Sequence, residues 1–461
     1  MLINNDTICA ISTTSGQGAI ALIRISGPKS IKITNNIFQA YNKNKLTVKH
    51  VNKVMVGEIF EQDNLIDEVV VTLFKGPKSY TGENIIEIAC HGSTYIQTKI
   101  IQLLIKQGCR LAKNGEFTLR AFLNQKLDLS QAEGVAELIA SENEKAHSLA
   151  MQQMKGGFSN EIKNLRDQFI KFASLIELEL DFSQEDVEFV DRKTILKLIQ
   201  KIKTKTSKLL DSFQFGNAMK HGIPISIIGN PNSGKSTLLN TLLQEDRAIV
   251  SDIKGTTRDT IEEIINIQGY KFRFIDTAGL RKTNNKIEKI GIAKTYEKIQ
   301  QSLFILYLID KNDFISTSIE HEIKEIQNKL NSQQTIMIIA NKTDLYQKSL
   351  DLQNLNNIKI INISAKNGNG VDQIINSILE KIKIWENMQD QIIIINQRHF
   401  ESLINTLKSI KDVENGIKSN LSGELLALDI KHSLNYLGEI TGEITNDNLL
   451  DSIFRDFCIG K

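Results

Sequence analysis

Gly229-Asn230-Pro231-Asn232-Ser233-Gly234-Lys235-Ser236 is the stretch on which the fold turns. It matches the phosphate-loop pattern G-x-x-x-x-G-K-[ST] at every fixed position. The apolar run from Pro224 to Ile228 before it reads as a strand. Ser236-Thr237-Leu238-Leu239-Asn240 after it reads as the start of a helix. A strand, a glycine-rich turn and a helix in that order aim backbone N–H groups at an anion. Lys235 then reaches the terminal phosphates and neutralises charge there, and the Ser236 hydroxyl holds Mg²⁺.

Three further segments follow in order, each after an apolar run. Asp276-Thr277-Ala278-Gly279 follows Phe272 to Ile275. An acid at a strand end can hold the Mg²⁺ water shell, and the Gly279 N–H can face a γ-phosphate. Asn341-Lys342-Thr343-Asp344 follows Thr335 to Ala340, and Ser364-Ala365-Lys366 follows Ile358 to Ile363. The Asp344 carboxylate can accept both ring-edge donors of guanine, whereas adenine leaves it unpaired. The expected site is therefore a guanine-nucleotide site, and it resembles the translation-factor-like class of small GTPase domains.

Leu280 stands where Ras-like domains carry the glutamine that orients water. Another group must do that work, or the domain hydrolyses poorly. Asn232 offers a carbonyl oxygen inside the loop. The segment Ser251, Asp252, Ile253, Lys254, Gly255, Thr256, Thr257 reads as a first switch over the nucleotide. Its carbonyls and the Asn232 oxygen can coordinate a monovalent cation where an arginine finger otherwise neutralises charge. A plain loop-capping role for Asn232 is the alternative.

A chain of 461 residues with 41% hydrophobic residues predicts two to four domains with sizeable cores. Net charge is only +2, which by itself does not argue for a nucleic-acid partner. Cys9, Cys90, Cys109 and Cys458 have no metal-site spacing, so a reducing, cytoplasmic location without a disulfide frame is expected. No apolar run is long enough for a membrane span, and no leader peptide is read.

Residues 1–120 read as an α/β domain. Strands are expected at Ala19–Ile25 and Glu68–Phe74, and a helix at Tyr95–Lys106 with Ile96, Ile100, Leu103 and Leu104 on one face. Residues 121–215 read as helical, with a stripe through Ile195, Leu198, Ile199, Ile202, Leu209, Leu210 and Phe213. Residues 381–461 are again helical, and Leu425, Leu428, Leu434 and Leu437 are expected on compatible faces. The nucleotide domain, 216–380, therefore reads as inserted in a helical domain split in sequence. The fold class is multidomain: α/β, all-α, and a P-loop domain.

This arrangement, the segment AFLNQKLDLSQAE (Ala121 to Glu133), GTTRD (Gly255 to Asp259), DTAGLR (Asp276 to Arg281) and the ending Cys458-Ile459-Gly460-Lys461 together resemble the MnmE (TrmE) family of tRNA modification GTPases. The resemblance implies K⁺-dependent pairing of nucleotide domains. The matching K⁺ ligands are Asn232, Ser251, Ile253 and Thr256, and the matching Mg²⁺ ligands are Ser236 and Thr257. It places Glu288 as the group that orients the attacking water. It makes the first domain similar to folate-binding domains of the glycine-cleavage T-protein type, used for constitutive dimerisation. A 5-formyl- or methylene-tetrahydrofolate would lie on Arg24, Glu87, Lys126 and Lys461. An FAD-dependent partner of the MnmG (GidA) type would complete a heterotetramer that modifies carbon 5 of the wobble uridine (position 34) of tRNA.

Cys458 is a candidate nucleophile beside Lys461 or Arg455, with simple packing against Phe454 and Phe457 as the alternative. Cys90-His91 is rejected as a dyad, because adjacent residues of a strand face opposite ways. Two rival functions remain. A ribosome-assembly GTPase would need an RNA module such as a KH domain, and no G-x-x-G loop with basic flanks is present. A one-carbon enzyme with a vestigial nucleotide domain conflicts with intact Lys235, Asp276 and Asp344.

Overall fold

The computed structural model describes residues 6–182, 192–244, 263–275, 299–311, 317–331, 333–345, 358–388, 392–419, 421, 423–455 and 457–460. The chain divides into two compact units. One comprises Met1–Ala140, Ala150–Thr204 and Glu401–Lys461; the other comprises Ser141–Leu149 and Lys205–Phe400.

The first unit contains a seven-stranded sheet. Its strands are β1 (Ile8–Ile11), β2 (Ile20–Ser26), β3 (Phe38–Ala40), β4 (Val54–Glu61), β5 (Asn64–Phe74), β6 (Ile85–His91) and β7 (Arg110–Leu111). The spatial order is β3-β4-β5-β6-β2-β1-β7. All neighbours are antiparallel except β1 and β7. Period-two alternation along β5 buries Asp67, Val69, Val71 and Leu73 and turns Glu68 and Val70 outward, as one covered face requires. The cover is the helix Thr94–Lys106, whose Ile100, Leu103 and Leu104 join the core with Ile23, Ile25 and Val71. On β6, Cys90 is buried and His91 is exposed, so the two do face apart. Burial pushes the Cys90 thiol up to about 11.

Helices complete this unit. Leu129–Ala140 packs Leu129 and Ala132 against Leu450, Phe454 and Phe457, more than 300 residues further along the chain. Gly157–Phe182 lies against Gly423–Thr441. In Gly423–Thr441 the expected apolar face is corrected. Leu425 and Leu428 are each 52% exposed, while Leu426, Ile430, Leu437 and Ile440 are buried. With buried Ser433 the set advances by three or four residues and stays on one stripe; Leu425 and Leu437 lie about 120° apart around a helix.

A buried ionic cluster ties the start of the chain to the segment between β5 and β6. Arg120, on the helix Glu116–Leu123, donates to the Asp6 carbonyl at 3.0 Å and to its carboxylate at 2.5 Å. It also reaches Glu83 at 3.1 Å and Glu116 at 3.2 Å. Arg110 meets Asp6 at 2.7 Å and Glu116 at 2.5 Å. Burial alone would raise the Asp6 and Glu116 carboxyls, but hydrogen bonds and charge from Arg110 and Arg120 outweigh it and hold both below the usual range.

The second unit is a three-layer α/β fold. Its strands are β8 (Ile223–Gly229), β9 (Glu263–Ile267), β10 (Tyr270–Phe274), β11 (Phe304–Asp310), β12 (Thr335–Asn341) and β13 (Lys359–Asn362). The order is β13-β12-β11-β8-β10-β9, parallel except for the β9–β10 pair. Strands β8, β11 and β12 are nearly continuous apolar runs because both faces are covered. One face packs against the helices Lys235–Gln244 and Val371–Met388; the other packs against Ile323 and Ile326 of the helix Thr317–Lys329. After β8 the chain crosses to β10 on one side and then to β11 on the other. A ligand crevice belongs at the carboxyl ends of strands at such a switch point.

Candidate functional site

The carboxyl ends of β8, β11 and β12 gather Gly229, Asp310 and Asn341 at one edge of the sheet. The phosphate loop leaves β8 there. Asn232 has φ 63° and Gly234 has φ 97°, so the turn is left-handed at two points. Gly234 has a second constraint: a Cβ on it would collide with the side-chain amide of Asn341. Lys235 folds into the loop and donates to the carbonyls of Gly229 at 2.8 Å and Asn230 at 2.6 Å. The Ser233 hydroxyl donates to the Asn230 carbonyl at 2.9 Å. Ser236 and Thr237 occupy the first turn of the helix Lys235–Gln244, the positive end of a helix dipole, which favours an anion.

Asn341 links the phosphate loop to the base loop. It is buried, donates Nδ2–H to the Ser233 carbonyl at 2.8 Å and accepts from the Ala365 N–H at 2.9 Å through Oδ1. The Ser364 hydroxyl donates to Asp344 Oδ1 at 2.7 Å. That hydrogen bond, ahead of nearby Lys366 and Lys342, holds the Asp344 carboxyl below its ordinary range. Asp344 is exposed and so free to meet a ring edge. Lys342 has φ 66° and pairs with Asp310 at 2.5 Å. Lys366 is exposed on the same loop.

Asn232, Ser233, Gly234, Lys235, Ser236, Thr237, Asn341, Lys342, Asp344, Ser364, Ala365 and Lys366 thus lie at one end of the sheet. The switch residues Ser251, Asp252, Ile253, Lys254, Gly255, Thr256 and Thr257, the segment Asp276-Thr277-Ala278-Gly279 with Leu280, and Glu288 lie outside the described residues. Two participants escaped sequence reasoning. Asp310 carries a weak signal, an acid closing an apolar strand, as Asn341 closes the next. Thr241 carries none: its hydroxyl donates to the Ala365 carbonyl at 2.6 Å from the second turn of the phosphate-loop helix.

A second cluster sits on the first unit's sheet. Arg24 on β2 donates to Glu87 on β6 at 3.0 and 2.8 Å, in facing register. Its guanidinium lies 5.4 Å from the Tyr80 ring centre and 5.7 Å from that of Phe117. Its remaining arm donates to the Gly460 carbonyl at 3.3 Å, and the Ser12 hydroxyl donates to the same carbonyl at 3.1 Å. The chain's last segment is therefore held at this cluster. Cys458, next to it, is exposed rather than packed with Phe454 and Phe457, which are buried on each other. Lys126 is exposed, and its side chain lies beside Gly82, on the turn that also carries Tyr80. Lys461 lies outside the described residues. No group of three or more metal-ligating side chains occurs among the described residues, and no described helix is long and apolar enough to cross a membrane.

Known proteins resemble the chain throughout. A family model described as the MnmE helical domain matches residues 129–458, and one described as the GTP-binding protein TrmE N-terminus matches residues 7–126. The tRNA modification GTPase MnmE of Flavobacterium johnsoniae is 52% identical over 100% of both chains. That of Bacteroides thetaiotaomicron is 48% identical over 99% of this chain and 100% of its own. Among solved structures, the FeoB G-domain from Methanococcus jannaschii matches at 23% identity and a TM-score of 0.25, over 35% of this chain and 97% of that one. With full-length identity near one half and family models matching residues 7–126 and 129–458, this chain belongs to the family of tRNA modification GTPases MnmE.

Proposed function

We propose that this GTPase drives modification of the wobble uridine of tRNA at carbon 5, giving a carboxymethylaminomethyl-type group together with an FAD-dependent partner. The observation that carries the nucleotide half is the Asn341 bridge between Ser233 and Ala365, with Asp344 aimed by Ser364. One buried amide ties the phosphate-reading loop to the base-reading loop, which is what selection of a guanine nucleotide needs. Lys235 neutralises charge on the terminal phosphates. Ser236 and Thr257 would hold Mg²⁺, and Asn232, Ser251, Ile253 and Thr256 would hold K⁺. The donor set fits: a helix-first-turn hydroxyl suits a hard cation, and the exposed, left-handed Asn232 has its carbonyl oxygen free to turn. When bound, these ions supply positive charge where it develops on the phosphates. Glu288 orients the attacking water in place of Leu280.

The Arg24–Glu87 cluster is proposed as the tetrahydrofolate site, with Lys126 and Lys461 for the anionic tail. A carboxylate, a guanidinium and two aromatic rings suit a flat, hydrogen-bonding heterocycle. When bound, the folate supplies the one-carbon unit. Exposed Cys458 is the proposed nucleophile nearby. Pairing of two chains through their first domains, K⁺-dependent pairing of the nucleotide units, a heterotetramer with an MnmG-type protein and a cytoplasmic location complete the proposal.

Two measurements test it. GTP turnover should be much faster in KCl than in NaCl, and equal rates would remove the cation from the reading. Nucleosides of tRNA from a strain lacking this protein should lose the C5-modified wobble uridine, and an intact profile would overturn the proposed reaction.

A further inference from the structure

The phosphate-loop helix touches the base loop at a point that no nucleotide motif covers. The backbone of Ala365 is held on both sides, at its N–H and at its carbonyl. Its N–H donates to Asn341 Oδ1 at 2.9 Å, and its carbonyl accepts from the Thr241 hydroxyl at 2.6 Å. The same hydroxyl shares its single proton with the Thr237 carbonyl, 2.9 Å away and one turn back, the Ala365 carbonyl being the nearer acceptor. Ala365 is buried, so its carbonyl has little water to turn to if the hydroxyl is lost. The neighbouring Ser364 is the group that orients Asp344. A chain of contacts therefore runs from the helix that carries Lys235, through Thr241 and Ala365, to the carboxylate that reads the base.

We propose that Thr241 is a positioning residue for guanine selection. It keys the 364–366 loop to the phosphate-loop helix, so that Asp344 meets the ring edge only when the loop is seated. The inference rests on the guanine-site reading above. It makes a claim that a general packing role does not: losing the hydroxyl should weaken recognition of the 2-amino group more than recognition of the phosphates.

The test uses the full-length protein and GDP, IDP and ADP as probes, IDP lacking only the 2-amino group. Thr241→Val keeps the shape and removes the hydroxyl. Its Kd for GDP should rise about tenfold, the order expected when a hydrogen bond is lost and a carbonyl left unpaired. Its Kd for IDP should rise less, so the GDP-to-IDP preference narrows. For GTP turnover the change should fall in KM rather than kcat. Thr241→Ser should restore the GDP value. If valine lowers the melting temperature enough to obscure binding, Thr241→Ala, which places no branched methyl by Ala365, gives the same comparison. A GDP Kd within twofold of the parent, or equal weakening for GDP and IDP, overturns the role of Thr241. A parent protein that does not prefer GDP to ADP overturns the guanine-site reading itself.

Discussion

At the scale of single residues, the proposed guanine recognition rests on the state and aim of Asp344. Replacing it with asparagine swaps one acceptor for a donor. GTP affinity should fall at least ~100-fold, since a site built for a donor pair rejects a ligand it can no longer pair. Xanthosine triphosphate, with an acceptor in place of the amino group, should gain; competition binding reads both. The pH dependence has a definite sign. The reading form is the carboxylate, and Ser364 keeps its pKa low, so guanine binding persists as pH falls into the usual carboxylate range. Ser364→Ala removes the largest cause of that lowering. The acid limb of a GDP-binding profile should then move to higher pH, and an unmoved limb would detach Ser364 from Asp344. The motifs behind this proposal were legible without a structure, because each is a short run with its own chemistry. Thr241 was not, because a threonine on a helix carries no mark of which distant carbonyl it meets.

At the scale of elements, the turn between β8 and its helix works through backbone geometry. Gly234→Ala adds about 1–2 kcal/mol of left-handed strain and drives Asn341 off its two partners. Nucleotide affinity should fall roughly tenfold or more, the size of such a buried loss, as seen by fluorescence titration with a labelled GDP. The ionic cluster of the first unit behaves in the opposite way, through stability. Arg120→Met leaves Glu83 without its guanidinium partner and Asp6 and Glu116 with Arg110 alone, and should cost up to about 3 kcal/mol in urea unfolding. Asp6 and Glu116 have lowered folded pKa values, so their contribution is present above the unfolded carboxyl pKa and is lost as pH falls through the folded one. The parent should lose stability steeply in that acid window, and the variant less so. Helix and strand positions were largely readable from periodicity. The buried face of Gly423–Thr441 was not, since leucines occupy both its sides and only its neighbour, Gly157–Phe182, selects one.

At the scale of the whole chain, the first unit is closed by residues from its far end. Phe454 and Phe457 pack with Leu129 and Ala132, and Gly460 ends on Arg24 and Ser12. Phe454→Ala should destabilise this unit by about 3–5 kcal/mol, the range for a buried aromatic. Proteolysis should then remove the C-terminal residues first, and a tail as resistant as the parent's would show that it is held elsewhere. What the amino-acid order determined by itself was the nucleotide fold and its ligand class. Those signals are local: a loop that needs glycine at Gly234, apolar runs sized for covered parallel strands, and an Asn-Lys-x-Asp run at the end of one of them. Only the tertiary structure decided that Asn341 and Thr241 hold Ala365 from both sides, that Arg24 holds the Gly460 carbonyl, and which stripe of Gly423–Thr441 is core. Those are meetings of residues up to 448 positions apart, chosen by packing and by the need to pair buried polar groups, and no periodicity along a single segment records them.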